Sequence, residues 1–181
     1  TVDVQVTVID PVPVVITRNI TVFLDASGQV TIAPEDVDNG SSSVVGLSGL
    51  SLDVSSFDCS NVGNNTVTLT ATSTLGSQAS GTANVFVADE IAPTITVQNA
   101  TVQLDQNGFG SIQLSDILTS ATDNCGIASQ TATDLSFDCT EVGDNTVTVT
   151  VTDVNGRVTQ RDVTVTVLDV LPIIAEEDNF T

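Results

Sequence analysis

Hydrophobic and polar residues alternate strictly in the stretch from Val142 to Gly156, which reads VGDNTVTVTVTDVNG. Valines take one side of the segment 147–151 and threonines take the other, the pattern of a strand with one buried face. Turn-forming residues at 153–156 follow, and a second alternating Val/Thr segment covers 163–167. The pattern predicts an antiparallel hairpin that closes a small β domain.

The chain repeats itself when it is shifted by 80 residues. Phe57-Asp58-Cys59 then falls on Phe137-Asp138-Cys139, and Asn65–Thr68 falls on Asn145–Thr148. Self-similarity at a fixed period is typical of tandem arrays. The predicted organisation is the closing strand of an upstream repeat at 1–10, complete repeats at 11–90 and 91–170, and the start of a further repeat at 171–181.

Each repeat is predicted to be all-β, with about seven short strands in a two-sheet sandwich. Phe57 and Phe137, which fall on each other when the chain is shifted by 80 residues, are assigned to the core. Short acidic linkers that end in proline predict end-to-end stacking of the repeats. The predicted elements are hairpins of 20–24 with 29–32 and of 101–104 with 109–114, helical turns at 34–36 and 114–116, strands near 47–54 and 127–132, and the closing hairpins.

The charge of the chain limits its partners. The sequence holds 23 acidic and 3 basic residues, a formal net charge of −20. So few basic side chains argue against nucleic acids and anionic membranes as partners. No apolar run is long enough to insert into a bilayer. The charge favours cations as partners, although it is equally explained as a device for solubility.

Catalytic chemistry finds little support in the sequence. The chain has no histidine and only three basic residues, and neither a glycine-rich phosphate loop nor a nucleophile elbow is present. A glycosidase-type carboxylate pair would need a cleft with aromatic sugar platforms, and tryptophan and tyrosine are absent. We therefore expect a protein that is not an enzyme.

Three motifs of the second repeat resemble the hyalin-repeat (HYR) domain: ATDNCG at 121–126, VGDNTVTVTVTD at 142–153 and DVNG at 153–156. They resemble more closely its relatives in very large surface proteins of marine Bacteroidota-type bacteria. The resemblance implies tandem immunoglobulin-like β-sandwich repeats at the cell surface. It also implies an extracellular structural or adhesive role. The first repeat departs from the motif, with Ser43-Val44-Val45-Gly46 in place of Asp123-Asn124-Cys125-Gly126.

This departure suggests how the three cysteines pair. Cys125 and Cys139 are the two cysteines of the second repeat, and an oxidising compartment would pair them. Cys59 matches Cys139, but Val45 stands at its partner's position, so Cys59 is expected to be a free thiol. A reduced, buried pair is the alternative for Cys125 and Cys139.

Acidic residues of the second repeat and of the linker that leads into it suggest a Ca²⁺ site. In an immunoglobulin-like topology the last turn lies where the chain enters the domain, so carboxylate and amide oxygens should converge there. Such oxygens suit Ca²⁺, which would stiffen the array. The alternative is that Asp-x-Asn-Gly is ordinary turn chemistry. The candidate ligands are Asp89, Glu90, Asp123, Asn124, Asp153 and Asn155.

Two functions remain open from the sequence. One is a structural repeat of a surface stalk, filament or adhesin that spaces a binding tip from the cell. Its partners would be neighbouring repeats and laterally associated copies. The other is a ligand-binding adhesin module, for instance for glycans. The missing tryptophan and tyrosine, which glycan sites generally use, favour the stalk.

Overall fold

A computed structural model describes residues 10–169 of the chain. They divide into two compact units, and the division falls between Ile91 and Ala92. Apart from Asp10, the strands predicted at 1–10 and 171–181 lie outside the described residues. Within residues 10–169, no helix has both the length and the apolar character needed to cross a membrane.

The first unit is built almost entirely of strands. Its larger sheet has the order β1-β6-β5-β3, and β2 pairs with β4 in a smaller one. The elements are β1 (Ile20–Phe23), β2 (Gln29–Thr31), α1 (Pro34–Val37), β3 (Leu47–Leu52), β4 (Ser56–Asp58), β5 (Gly63–Ser73) and β6 (Gln78–Ala88).

The second unit repeats this arrangement and adds one strand pair. Its sheets have the orders β11-β13-β14-β8, β12-β9 and β10-β7. The elements are β7 (Thr94–Val97), β8 (Ala100–Gln103), β9 (Phe109–Ser111), α2 (Leu114–Ile117), β10 (Leu118–Thr122), β11 (Ile127–Ala132), β12 (Ser136–Asp138), β13 (Gly143–Asp153) and β14 (Val158–Leu168). Both units are immunoglobulin-like β-sandwiches, as the sequence predicted.

The closing hairpins are confirmed in both units. β13 pairs antiparallel with β14, with Val147 opposite Val163, and β5 pairs in the same way with β6. Val149 and Val151 of β13 are fully buried, while the threonines that alternate with them, at 148, 150 and 152, are half-exposed. The alternation of valine and threonine therefore separates core from surface, because successive side chains of a strand point to opposite faces.

The predicted opening hairpins are wrong, although their strands and turns exist. β1 pairs in parallel with β6, and β2 pairs antiparallel with β4; β8 and β9 likewise join β14 and β12. The turn forms, since the Gly28 amide donates to the Asp25 carbonyl at 2.9 Å and Gly28 has φ +73°. The chain uses this tight turn to cross from one sheet to the other. A local pattern cannot distinguish that crossing from a hairpin.

The core follows the sequence closely. Phe57 and Phe137 are each 3% exposed, which confirms their assignment to the core. The helical turns are confirmed as α1 and α2, whose Val37 and Ile117 are fully buried. Strand pair β7–β10 was not predicted: β7 follows the linker that ends at Pro93, and β10 lies in the segment predicted as a polar loop after the second helical turn. In the first unit, isolated bridges such as Val14 with Ser42 take its place.

Candidate metal centre

The last turn of the second unit carries a carboxylate that is almost completely buried. Asp153 ends β13, and its side chain is 1% exposed. Its Oδ1 accepts hydrogen bonds from the backbone amides of Asn155 and Arg157, both at 2.8 Å. Its Oδ2 is buried and has no hydrogen-bond partner. Oδ1 of Asp153 therefore holds the turn, whereas its Oδ2 is left without a hydrogen bond.

The two carboxylate oxygens of Asp123, in the loop between β10 and β11, differ in the same way. Its Oδ1 accepts from the amides of Cys125 at 2.8 Å and Gly126 at 3.1 Å. Its Oδ2 is buried without a hydrogen-bond partner. The loop is held against the last turn because the Val154 amide donates to the Gly126 carbonyl at 3.1 Å. Two unsatisfied carboxylate oxygens therefore belong to neighbouring segments.

Asp89 completes a cluster of three carboxylates. It follows β6 directly, is 5% exposed, and accepts a hydrogen bond from the Ile91 amide at 3.2 Å. One carboxylate oxygen from each of Asp89, Asp123 and Asp153 lies within 4.8 Å of the other two. The structure thus brings together three of the six residues proposed as metal ligands.

The electrostatics of this cluster call for a cation. Like charges at such separations repel, and burial adds a desolvation cost for each ionised carboxylate. Buried polar atoms normally have partners, so the free Oδ2 atoms of Asp123 and Asp153 require an explanation. An ion held among these oxygens would offset the repulsion between the carboxylates and would give the two Oδ2 atoms a partner. An all-oxygen donor set is what a hard cation such as Ca²⁺ prefers.

The other three predicted ligands have different surroundings. Asn155, in the same turn as Asp153, has a buried Oδ1 without a hydrogen-bond partner. Asn124 is half-buried beside Asp123. Glu90 is exposed and does not belong to the cluster of three. Within the described residues, Asn155 therefore offers the cluster a further oxygen donor.

At the corresponding position of the first unit, hydrogen bonds satisfy a carboxylate. The sequence analysis did not predict these hydrogen bonds. Ser73 stands where the second unit has Asp153, and its hydroxyl donates to both carboxylate oxygens of Asp10 at 3.0 Å. The Ser77 amide donates to Asp10 Oδ2 at 2.7 Å. Hydrogen bonds from Ser77, the side-chain one first, and from Ser73 hold the pKa of Asp10 below its usual value. The signal for this contact was the serine at 73 itself, a donor facing the carboxylate that opens the linker.

The predicted cysteine pairing is wrong. Cys139 carries an exposed free thiol, so it forms no bridge with Cys125. Cys59, expected to be a free thiol, is disulfide-bonded, as is Cys125. Cys139 lies just before the start of β13, and the loop of Cys125 lies beside its end, where Ile127 pairs with Asp153. The 11 residues of β13 separate the two by roughly 35 Å at about 3.3 Å per residue. A disulfide needs Cα atoms within about 7 Å.

A shallow groove lies elsewhere on the second unit, beside the short sheet of β9 and β12. Its volume is about 440 Å³. Phe109 contributes a ring that is 64% exposed, whereas the neighbouring Phe137 belongs to the core. The groove is lined by Asp105, Phe109, Gly110, Ser111, Ser136 and Phe137.

No protein-family model matches the sequence, and no curated protein matches it either. Similar solved structures include cadherin domains 1–4 of protocadherin gamma B7, with TM-score 0.35 and 15% identity over 85% of this chain and 50% of that chain. Human mucin-like protocadherin EC1-2 gives TM-score 0.37 and 13% identity over 87% and 98% of the two chains. The four N-terminal Ig domains of Dscam1 isoform 9.44 give TM-score 0.41 and 8% identity over 91% of this chain and 47% of that chain. Likeness at this level carries no information about function.

Proposed function

We propose that this chain is a non-catalytic structural repeat of an extracellular surface stalk, filament or adhesin. Two β-sandwiches whose main sheets have the same strand order, related by an 80-residue sequence repeat, support a spacer made of similar modules. The disulfide supports an oxidising compartment such as the cell exterior. The net charge of −20 keeps such an extended protein soluble.

The second part of the proposal is a Ca²⁺ ion held by Asp89, Asp123 and Asp153. The observation that carries it is the buried Oδ2 of Asp153, which has no hydrogen-bond partner and lies in a residue that is 1% exposed. A solvated acidic turn would expose this oxygen to water. Here the oxygen is buried, and one carboxylate oxygen of the same residue lies within 4.8 Å of one from each of Asp89 and Asp123.

The charge and the donor atoms favour Ca²⁺ over other metals. Zn²⁺ sites use cysteine and histidine, but this chain has no histidine. Mg²⁺ requires near-ideal octahedral geometry and keeps several waters, which a buried cluster from three separate segments does not readily supply. Ca²⁺ accepts six to eight oxygens in flexible geometry, so Asn155 and backbone carbonyls can complete its shell.

Bound Ca²⁺ would stiffen the chain at this place. The three aspartates lie on different segments: the residue after β6, the β10–β11 loop and the end of β13. An ion that coordinates all three cancels their mutual repulsion and restrains the segments together. In a tandem array this would hold successive repeats in line, as the short linkers also suggest.

Small-angle X-ray scattering on the full chain, in Ca²⁺ and in chelator, tests the stalk. We expect a longer and stiffer particle in Ca²⁺, and no Ca²⁺ response in Asp153→Ser, which installs the residue of the first repeat. A compact particle in both conditions would contradict the stalk.

A second candidate function, ligand binding by an adhesin module, is favoured by the groove at Phe109 alone. An exposed aromatic ring beside polar side chains is one way to hold an apolar sugar face. Binding to a panel of surface glycans by the wild type, lost in Phe109→Ala, would favour this function over the stalk. Phe86→Ala, which removes an exposed ring in the first unit, is the matched control.

A further inference from the structure

An exposed row of apolar side chains lies on the segment of the first unit that leads into β1. Residues 12–18 alternate between exposed and covered positions, as in an extended chain. Val12 is 64% exposed, Val14 59% and Ile16 44%. Single exposed apolar residues are ordinary, but a contiguous apolar surface is typical of an interaction site. These three residues are called the apolar row below.

The other side of the segment packs on the first unit and fixes the direction that the apolar row faces. Thr17 donates its hydroxyl proton to a carbonyl of β6 at 2.6 Å. Val15 lies so close to Gly81 of β6 that a Cβ on that glycine would come within 3.0 Å of it. The backbone of Val14 exchanges two hydrogen bonds with Ser42, at 2.8 and 2.9 Å. The segment is therefore anchored, and the apolar row on its opposite side faces solvent.

Opposite charges stand at the two ends of the apolar row. Asp10, two residues before Val12, is half-exposed. Arg18, two residues after Ile16, is exposed and is one of three basic residues in the chain. Its guanidinium has five donors, and Nε and Nη2 bond two carbonyls of α1 at 2.8 and 3.2 Å. With an acidic end and a basic end, the row is complementary to itself when it is read in the opposite direction.

We propose that the apolar row is a contact surface for a second copy of this chain, which binds antiparallel about a two-fold axis at Val14. Val14 of one copy then faces Val14 of the other, and Val12 faces Ile16. The same register brings Asp10 of each copy opposite Arg18 of the other. A patch that is complementary to itself is what a two-fold contact requires. The inference rests on the structural role proposed above, to which it adds a partner and a surface.

The second unit has the same exposure pattern but different side chains. Ala92, Thr94 and Thr96 stand in place of the apolar row, and Gln98 stands in place of Arg18. All four are exposed, like their counterparts in the first unit. This second row has neither large apolar side chains nor a cation. We therefore expect the contact to form through the first unit.

The charge of the chain favours a second copy over other occupants. A chain with net charge −20 repels its own copies over much of its surface. Residues 11–17 include no charged side chain, so two copies can meet there without opposing their carboxylates. A basic partner would be attracted to the acidic residues elsewhere instead.

The size of the apolar row predicts a weak contact between two single copies. A stable interface uses about 20–30 residues on each side, and the row supplies far fewer. In an array of repeats the same contact would recur along the chain, and many weak contacts made together hold two long molecules more tightly than one.

NMR spectra of the ¹⁵N-labelled full chain, recorded in a dilution series with chelator present, test the contact. The chelator removes any effect of the proposed metal centre. We expect amide shifts that depend on protein concentration at residues 12–18 and not at 92–98, with a dissociation constant on the order of 1 mM. Added NaCl should strengthen the association, because it screens the repulsion between two acidic chains.

Two variants locate the contact. Val14→Asp places two carboxylates face to face on the proposed axis, so it should weaken the association by about tenfold or more. Thr94→Asp adds the same charge at the matching exposed position of the second unit and should leave the association unchanged. Circular dichroism shows whether both variants are folded, and the wild-type dilution series decides by itself if one is not.

The outcomes separate this inference from the function on which it rests. A chain that stays monomeric at every concentration and salt overturns the contact and leaves the stalk to the scattering experiment. Shifts centred on Phe23 and Phe86, two exposed rings of the first unit, overturn the choice of surface. Equal weakening by Val14→Asp and Thr94→Asp overturns it as well. Shifts at 12–18 that Val14→Asp alone abolishes support the contact, even if scattering contradicts the stalk.

Discussion

The two repeats differ in what the last turn places beside a carboxylate: a hydroxyl donor in the first repeat and a further carboxylate in the second. Where the first repeat has Ser73, whose hydroxyl donates to both oxygens of Asp10 at 3.0 Å, the second has Asp153 beside Asp89 and Asp123. A serine hydroxyl gives a carboxylate the donor that it needs. An aspartate at that position adds a second negative charge and gives no donor.

The difference shows how one substitution can change the requirements of a whole site. The first arrangement is complete without any ligand, since Asp10 is satisfied within its own unit. The second leaves buried oxygens of Asp123 and Asp153 without hydrogen-bond partners. We therefore expect the repeats to have similar cores and different responses to cations.

The largest effect should come from the core, where the repeats are alike. Phe57 and Phe137 are both 3% exposed, so Phe57→Ala and Phe137→Ala should each destabilise their own repeat by about 3–5 kcal/mol. Denaturant unfolding of each variant measures the loss. A loss of unfolding free energy below a third of this value in one repeat would show that the two cores are not equivalent.

The next effect is specific to the second repeat. Ca²⁺ that binds the folded site and not the unfolded chain should raise its free energy of unfolding by about 2.7 kcal/mol at a hundredfold excess over the dissociation constant. Scanning calorimetry with and without Ca²⁺ measures the shift. Asp153→Ser should abolish the gain. Equal stabilisation of both repeats, or of the variant, would contradict the contrast between them.

The reverse exchange should harm the first repeat. Ser73→Asp removes the hydroxyl that donates to Asp10 and places a second carboxylate against it, so we expect a loss of about 1–3 kcal/mol. Ca²⁺ should restore little of this, because Ser43 stands where the second repeat has Asp123. Denaturant unfolding decides the matter. Unchanged stability would mean that the hydrogen bonds of Asp10 contribute nothing.

The smallest effect concerns pH. Hydrogen bonds from Ser77 and then Ser73 lower the pKa of Asp10 below its model-compound value of 3.8. The resulting stability is fully present above that value and is lost as the pH falls through the lower pKa of the folded state. Ser77→Ala should raise the pKa of Asp10 towards 3.8. NMR titration of the Asp10 carboxylate in both proteins tests this, and a pKa that does not move would contradict the assignment.

Much of the fold was predictable because local patterns determine it. The alternating valines of β13 identified a half-buried strand, and the 80-residue period transferred each assignment from one repeat to the other. The partners of β1 and β2 were not predictable, because the Asp25–Gly28 turn looks the same whether its strands pair with each other or enter different sheets.

The convergence of the carboxylates was predictable from the sequence, but the predicted disulfide was wrong. Convergence of Asp89, Asp123 and Asp153 follows from the turn that ends β13 lying where the chain enters the unit. The predicted pairing of Cys125 with Cys139 fails because the 11 residues of β13 hold the two cysteines apart. Counting along that strand would have excluded the bridge from the sequence alone.

Calorimetric titration of Ca²⁺ into the oxidised full chain tests the central contrast most directly. The account predicts one binding site in the wild type, its loss in Asp153→Ser and its retention in Ser73→Ala, the variant at the matching position of the first repeat. Ca²⁺ affinity that is equal in the wild type and Asp153→Ser would contradict the metal centre and leave Asp-Val-Asn-Gly as an ordinary turn.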